Sequence, residues 1–347
     1  MKKTIKTALV GLALAVAGSA AAQKPVIIKG VGTWGNLSPY QLHEGPFWND
    51  YIAKASDGKI IGEMKPQTEL GLKGFEIMRL VKNGVFDFAY GLPGYVAAEN
   101  AVFEGADLSS VTQDIATQRK VADAYFPILE EAFAKYYNAK LLQLYTFPSQ
   151  MLWCKPEIKS IADLKGKKIR RLRDLAGRLR RGGRRRVGHR AVRRGDSGAG
   201  ERRGRLRDHG HDAGLQGEVG PGGHPCLHDA RGLGSVVRRD EHEQMEVAVA
   251  RDPAYLKKEL DALTDRMWAE TAKEDDVAVS CITGGKCEIG EPANMKLVVP
   301  TKEDLAARDK VATDVVLARW AKRCGAECAA RWNETVGKII GLTATAK

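Results

Sequence analysis

One long stretch of this sequence lacks residue types that are common in the rest of it. Between residues 171 and 253 there is no Lys, Ile, Phe, Tyr, Trp, Asn or Thr, although all seven types occur on both sides. The same stretch holds 19 of the 27 arginines, six of the seven histidines and 16 of the 37 glycines. Because it has no aromatic residue and few β-branched ones, we expect it to be unable to supply buried strands.

Two further absences narrow the classes of function. The apolar run at 8–18 is shorter than the ~20 residues that a membrane-spanning helix needs. There is no Gly-x-Ser-x-Gly or His-Glu-x-x-His motif, which argues against an exported hydrolase or another enzyme. With Lys2, Lys3 and Lys6 before the apolar run and small residues after it, 1–22 is typical of a secretory signal peptide, so we expect an exported protein.

The positive charge is concentrated in the arginine-rich segment. The whole chain has a net charge of +12. Residues 171–251 contribute +8 of it and the three lysines of the signal peptide +3, so the remainder of the chain is nearly neutral. As a basic arm, the segment could bind nucleic acid or an anionic surface through phosphate charge. It offers no aromatic side chain for base stacking. We expect no nucleic-acid partner and keep a basic interaction protein as the alternative function.

The composition of the segment is that of a GC-rich gene read out of frame. An offset reading, which joins the last two bases of each codon to the first base of the next, restores the missing residue types. Met245 followed by Glu246 then encodes Trp, and 205–210 permits Asp-Cys-Ala-Ile-Thr-Gly. We therefore interpret about 171–252 as a frameshifted segment and expect 171–239 to be disordered.

Cysteine usage favours disulfide bonds. The chain has six cysteines, and an exported protein meets an oxidising compartment. The preferred bridges join the cysteines that are closest in sequence, Cys281 with Cys287 and Cys324 with Cys328. A metal cluster is the alternative, but no histidine lies near these four and the histidines of 209–228 match no closed zinc pattern, so we predict no metal. Cys154 and Cys226 have no obvious mates.

Strand and helix patterns alternate outside the arginine-rich segment. The predicted strands are 25–31, 59–64, 85–90, 139–145 and 150–154, and the predicted helices are 45–55, 73–82, 113–137, 254–276 and 302–321. This alternation predicts an α/β fold with mostly parallel sheets, whose ligand face is formed by loops at the carboxyl ends of strands. Ser160 and Asp163 predict the start of a short helix that Gly166 ends, before a strand that delivers Arg170.

Several short segments of the sequence together resemble one protein family. In chain order they are Glu69-Leu70-Gly71, Gly84-Val85-Phe86-Asp87-Phe88, Ile161-Ala162-Asp163-Leu164-Lys165-Gly166-Lys167-Lys168-Ile169-Arg170, Arg323-Cys324-Gly325-Ala326-Glu327-Cys328 and Trp332-Asn333-Glu334-Thr335-Val336-Gly337. The chain is similar to the periplasmic solute-binding component of tripartite ATP-independent periplasmic (TRAP) transporters, of the C4-dicarboxylate-binding type. The similarity covers roughly 25–170 and 254–347, and the intervening stretch resembles the family only in the offset frame.

The resemblance implies a periplasmic binding protein of type II, with two α/β domains, hinge strands and a long domain-spanning helix. After the leader, the N-terminal domain would comprise 24–147 with about 240–276, and the C-terminal domain 148–239 with 277–347. It also implies a periplasmic, non-catalytic protein without cofactors, which passes a small organic acid to the membrane permease subunits of a TRAP transporter.

The resemblance also implies a ligand site. Arg170 matches the arginine that pairs with a ligand carboxylate in the family, and a planar guanidinium suits that role because it binds a carboxylate bidentately. The other candidates lie on loops expected to face the same cleft: Trp34, Glu69, Tyr90, Gly91 and Gln150. Trp34 and Tyr90 are equally typical of core aromatics, and Glu69 of an exposed loop. Gln150 lies where the family often has a second cation, which leaves the ligand class open.

Overall fold

The computed structural model describes residues 24–112, 114–154, 157–166, 224–238, 253–288 and 291–346. The strands are β1 (Val26–Gly32), β2 (Ile60–Pro66), β3 (Phe88–Gly91), β4 (Ala139–Cys154) and β5 (His224–Arg238). The α-helices are α1 (Ile52–Ala55), α2 (Gly74–Lys82), α3 (Ile115–Tyr137), α4 (Pro253–Ile282), α5 (Lys302–Val311), α6 (Ala318–Cys324), α7 (Ala326–Trp332) and α8 (Lys338–Ile340). Turns of π-helix occur at Pro39–Glu44, Phe47–Tyr51, Ala312–Leu317 and Asn333–Gly337, and 3-10 turns at Pro93–Val96, Ala101–Glu104 and Ile161–Leu164.

The strands form one five-stranded mixed sheet in the order β2-β1-β3-β5-β4. β1 is parallel to both β2 and β3, whereas β5 is antiparallel to both β3 and β4. The predicted mostly parallel arrangement therefore holds for β1 to β3, whereas β4 is antiparallel to β5, which was not predicted as a strand. An apolar strand pattern carries no information about direction, and β5 runs back alongside β4 instead of pairing in parallel.

β4 is one long strand where the sequence predicts two, 139–145 and 150–154. Pro148 lies between the two predicted strands, and proline cannot donate a hydrogen bond to the ladder. The pairing register instead slips by one residue between Phe147 and Gln150. A bulge of this kind accommodates the proline without ending the strand.

β5 lies within the arginine-rich segment. Its backbone pairs with Phe88–Gly91 of β3 and with β4 along most of that strand. Residues 224–238 thus form a strand, whereas the sequence predicted disorder for 171–239. Residues 171–223 and 239 lie outside the described residues. Ladder hydrogen bonds come from the backbone, so strand pairing does not require particular side chains.

The long helices follow the sequence pattern closely. For the helix predicted at 113–137, Asp114 caps the start of α3 by accepting a hydrogen bond from the Thr117 backbone N–H (2.8 Å), and Asn138 ends the helix in the left-handed conformation. The helix predicted at 254–276 is α4, which continues to Ile282. α5, a π-helical turn and α6 follow one another over the helix predicted at 302–321.

Ser160 is the N-cap residue, as predicted, but the helix that follows it is a 3-10 turn, which is wound more tightly than an α-helix. The Ser160 backbone N–H donates to Asp163 (3.1 Å), and Gly166 has a positive φ of 77°. The intervening helix is a 3-10 turn, and its first backbone N–H donates to Asp304 of α5 at 2.8 Å. This contact attaches the turn to the C-terminal part of the chain.

The C-terminal helices share a core with the strands. The indole N–H of Trp320 donates to the Ala101 carbonyl, and that of Trp332 to the Gly105 carbonyl, both at 2.8 Å. Both indoles are buried in the cluster that contains the strand side chains. Helices α6 and α7 therefore pack with elements of 24–147, and the domain boundaries remain predictions.

Both short-loop disulfides predicted from the sequence are present. Cys281 is bonded to Cys287, and Cys324 to Cys328. The second bridge spans the turn at Gly325, which has a positive φ of 89°. It therefore fixes α6 and α7, the helices that carry the two buried indoles, relative to one another.

Candidate ligand-binding site

The loop after β1 is held by a buried carboxylate. Glu44 accepts hydrogen bonds from the Thr33 backbone N–H (2.7 Å) and the Thr33 hydroxyl (2.9 Å). The Tyr145 hydroxyl of β4 donates to the same carboxylate at 2.5 Å. Burial raises the pKa of Glu44 to about 7, although these hydrogen bonds favour the ionised form. The contacts join the residue before Trp34 to strand β4.

The loop after β2 is tied to the same segment. The backbone N–H of Gln67 donates to the carbonyls of Gly32 and Thr33, both at 3.0 Å. Glu69, two residues further on, is exposed and forms an ion pair with Lys65 at 2.9 Å. The structure thus brings Gln67 next to the β1 loop and places Glu69 in solvent.

Three aromatic rings meet where these loops approach β4. The ring of Trp34 lies 6.3 Å from that of Tyr95, edge to face, and 5.6 Å from that of Phe147. Tyr95 belongs to the turn Pro93–Val96 that follows β3, and Phe147 belongs to β4. Trp34 and Tyr95 are half-buried, whereas Phe147 is buried. We call these three side chains the aromatic cluster.

Tyr90 lies in the core. Its side chain is 0% exposed, and its hydroxyl accepts a hydrogen bond from the Trp48 indole N–H and donates one to the Gln143 side-chain carbonyl, both at 3.1 Å. Burial raises the pKa of Tyr90 well above its usual value. Its hydroxyl is thus hydrogen-bonded within the protein. This agrees with the alternative given in the sequence analysis, in which Tyr90 is a core aromatic.

The remaining predicted site residues lie at or near strand ends. Gly91 ends β3, and a side chain added there would meet no atom within 4 Å, so this position borders open space. The backbone of Gln150 lies in β4, paired with Asp229 of β5, and its side chain is outside the described part. Arg170 is also outside the described residues.

Sequence reasoning missed three side chains at this edge of the sheet. Gln67, Tyr95 and Phe147 lie beside Trp34 or its loop, and none was among the candidates. Each follows a predicted strand within a few residues, which is the signal that could have identified them. The structure thus joins Trp34 to new neighbours, whereas Glu69 is paired with Lys65 and the Tyr90 hydroxyl is used within the core.

The described part of the chain shows neither a metal centre nor a membrane span. Among these residues, no three His, Cys, Asp or Glu side chains are grouped so that they could hold a metal ion. Each helix described is too short or too polar to cross a bilayer. The side chains gathered near the β1 loop are aromatic, amide and hydroxyl groups and the buried Glu44 carboxylate. Aromatic surface with a few polar groups suits non-covalent binding of a small molecule.

Parallel strands whose loops gather beside the long strand β4, with helices packed against the sheet, define an α/β architecture. No family model and no curated protein matches the sequence. Among solved structures, the fold is similar to that of an extracytoplasmic solute receptor of Bordetella pertussis that binds pyroglutamic acid, with a TM-score of 0.63, 15% identity, and coverage of 89% of this chain and 98% of that one.

Two further solved structures share this architecture. One is a pyroglutamate-specific TRAP solute-binding protein from a marine metagenome, with a TM-score of 0.62, 13% identity, and coverage of 90% of this chain and 98% of that one. The other is a TRAP solute-binding protein of Bordetella bronchiseptica with copurified calcium and picolinate, with a TM-score of 0.62, 15% identity, and coverage of 92% and 93%. The chain therefore has the type II fold of TRAP solute-binding proteins, which confirms the predicted fold class.

Proposed function

We propose that this chain is a periplasmic solute-binding protein that captures a small organic carboxylate for a TRAP-type secondary transporter. The main support is the match of its fold, over nearly the whole chain, to receptors for pyroglutamate and picolinate. The loops after β1, β2 and β3 gather at the carboxyl ends of parallel strands, where α/β proteins bind ligands. Such capture requires no catalytic residue.

In this proposal, Arg170 binds the ligand carboxylate. A guanidinium remains charged at any working pH and forms two parallel hydrogen bonds to a carboxylate. The other proposed cleft contacts are Trp34, Gly91 and Gln150. Glu69 would approach the ligand from the exposed loop after β2, and Tyr90 would support the cleft from the core. Trp34 and Gly91 are supported by their positions at the ends of neighbouring strands.

Closure of two domains on the ligand completes the proposed mechanism. The antiparallel strands β4 and β5 and the long helix α4 are the elements expected to cross between domains, so bending in them would close the cleft. The leader at 1–22 would direct export, and the closed form would be recognised by membrane permease subunits. The reading frame across about 171–252 would be restored in the functional protein.

Isothermal titration of the full chain, with the frame restored, tests both the ligand class and Arg170. We expect binding of at least one small carboxylate, and Arg170→Ala should weaken it at least about thirtyfold because a charge-assisted bidentate contact is lost. Arg79→Ala is the matched control, since Arg79 lies exposed on α2 and pairs with Glu99 at 2.9 Å. Unchanged affinity in Arg170→Ala would remove Arg170 from the site, and a folded protein that binds no carboxylate would refute the function.

A further inference from the structure

Glu44 joins the loop after β1 to strand β4. Its Oε2 accepts from the Thr33 backbone N–H at 2.7 Å, and its Oε1 accepts from the Thr33 hydroxyl at 2.9 Å and from the Tyr145 hydroxyl at 2.5 Å. Thr33 directly precedes Trp34, whose ring belongs to the aromatic cluster. The Glu44 carboxylate therefore sets the position of the loop that carries Trp34.

This carboxylate has no cationic partner in the part of the chain that the structure describes. Glu44 is 0% exposed. The side chains that face it are neutral hydroxyls, namely Thr33 of the β1 loop, Tyr40 of its own turn, Tyr90 of β3 and Tyr145 of β4. A buried charge with neither water nor a cation beside it is stabilised only by hydrogen bonds, so its protonation responds strongly to another charge nearby.

The same hydrogen bonds can hold the protonated form of Glu44. A hydroxyl both donates and accepts, so either hydroxyl at Oε1 can accept the proton of a neutral carboxyl group. The Thr33 backbone N–H would still donate to Oε2. The link between the loop and β4 is therefore compatible with both charge states, and burial raises the pKa of Glu44 to about 7, where the two states are close in free energy.

An anionic ligand at the strand-end loops would act on this carboxyl group. The proposed ligand carries a carboxylate, and the loop after β1 is one of the loops that gather at the proposed site. A negative charge about 10 Å away makes a buried carboxyl group about tenfold harder to ionise, at an effective dielectric constant of about 20. Closure around the ligand excludes water and acts in the same direction.

We infer that Glu44 is a positioning residue of the ligand site and that it takes up a proton when an anionic ligand binds at the loop after β1. The proton comes from solvent and forms an O–H bond at Oε1, so the complex does not hold two negative charges beside the loop. A carboxylate that only held the loop would keep one charge state in the free and bound protein. The inference rests on the proposed function and adds a dependence of affinity on pH.

Titration calorimetry of the full chain, in its present and its restored frame, measures this proton. Pyroglutamate and fumarate are suitable probes, because both stay ionised from about pH 6 to about pH 8.5. Affinity should fall at least about fivefold over this range, because at the higher pH the proton must be added as the ligand binds. At about pH 7.5, the heats measured in phosphate and in Tris buffer should report the uptake of about half a proton per ligand.

Glu44→Gln is the test variant, because a neutral amide of the same shape resembles the protonated carboxyl group. At about pH 8.5 it should bind within about twofold of the wild-type affinity at about pH 6, and it should take up no proton. Tyr145→Phe is a second variant. It removes a hydrogen bond that favours the ionised form of Glu44, so the fall in affinity should move to higher pH.

His43→Gln is the matched control. His43 is the neighbouring titratable group of the same turn, but the charges that act on it are those of Glu270 and Arg266 on α4. Its replacement should therefore keep both the proton uptake and the fall in affinity.

The outcomes distinguish this inference from the function on which it rests. Ligand binding without proton uptake, or a pH dependence that Glu44→Gln and Tyr145→Phe leave unchanged, would overturn the inference and leave the solute-binding function standing. Loss of the pH dependence in His43→Gln would also overturn it, because the histidine would then be the group that titrates. Failure of both acids to bind either frame would overturn it as well, and the function would fall with it if no other small carboxylate binds.

Discussion

Glu44 is an ionisable side chain that the fold has removed from water. It is 0% exposed, and its hydrogen bonds come from Thr33 and from the Tyr145 hydroxyl. Burial raises the pKa of the Tyr40 and Tyr90 phenols. The charges of Glu69 and then Glu44 raise the pKa of Tyr40 further, and the charge of Glu44 that of Tyr90. Loss of hydration outweighs the hydrogen bonds, so the pKa of Glu44 rises from 4.5 to about 7.

This shift makes stability fall as pH rises. Between 4.5 and about 7 the folded protein binds more protons at Glu44 than the unfolded chain, so the free energy of unfolding decreases by on the order of 3 kcal/mol in total. Glu44→Gln should remove most of this dependence. Urea denaturation at about pH 5 and about pH 8 measures it.

The exposed carboxylate of Glu63 on β2 provides the control for that measurement. Glu63→Gln should keep the wild-type difference in unfolding free energy between the two pH values, since an exposed carboxylate gains little from the fold. A full pH dependence that persists in Glu44→Gln would show that another group is responsible.

Sequence rules located the strand ends at this edge of the sheet better than the side chains that meet there. Trp34 and Gly91 were predicted as candidates because each lies at or just after the end of a parallel strand. The same rule could not separate Gln67 from Glu69, since both follow β2 and only their packing differs. Burial of one and exposure of the other depend on tertiary contacts with the β1 loop, which local sequence does not encode.

Among the elements, α4 and β4 are joined along their length by side chains of the helix. The Trp268 indole N–H donates to the Leu144 carbonyl at 3.0 Å, and the Thr271 hydroxyl donates to the Thr146 carbonyl at 3.2 Å. One turn further on, Asp275 accepts from the Ser149 backbone N–H at 2.7 Å and from its hydroxyl. The contact with Ser149 lies at the bulge of β4, where the ladder cannot satisfy every N–H.

Asp275→Ala should therefore destabilise the protein by about 2 kcal/mol, because it leaves the Ser149 donors without their acceptor. Asp276→Ala removes the same charge from the next, exposed position of the same helix and should change stability by less than about 0.5 kcal/mol. Chemical denaturation of the two variants makes the comparison. Equal effects would mean that helix charge, and not the link to β4, determines the result.

Some helices and strands were predicted correctly from the sequence and others were not, and the difference has physical reasons. The helix α3 was predicted nearly to the residue, because Asp114 and Asn138 encode its ends by local capping. The continuity of β4 across Pro148 was not predicted, because a bulge is selected by pairing with β5 and not by the proline itself. Strand direction was also not predictable from the local sequence pattern, because it depends on which strands the tertiary fold places next to one another.

On the scale of the whole molecule, the arginine-rich segment contributes a strand to the middle of the sheet. β5 is hydrogen-bonded to β3 on one side and to β4 on the other. The offset reading permits residue types that are enriched in strands at this position: Ile or Thr at His224, Val at Cys226, and Thr at both His228 and Asp229. Composition identified the unusual segment, but only the topology shows that it includes a central strand.

Restoring the frame across about 171–252 should give a more stable and more cooperative protein, because a strand paired on both sides needs side chains that pack against the layers covering it. Circular dichroism should show one sharp thermal transition for the restored chain and a broader one at lower temperature for the present sequence. A chain restored only at 171–223 keeps the present residues of β5 and should remain less stable than the full restoration. Sharp unfolding and full carboxylate binding by the present sequence would contradict the frameshift.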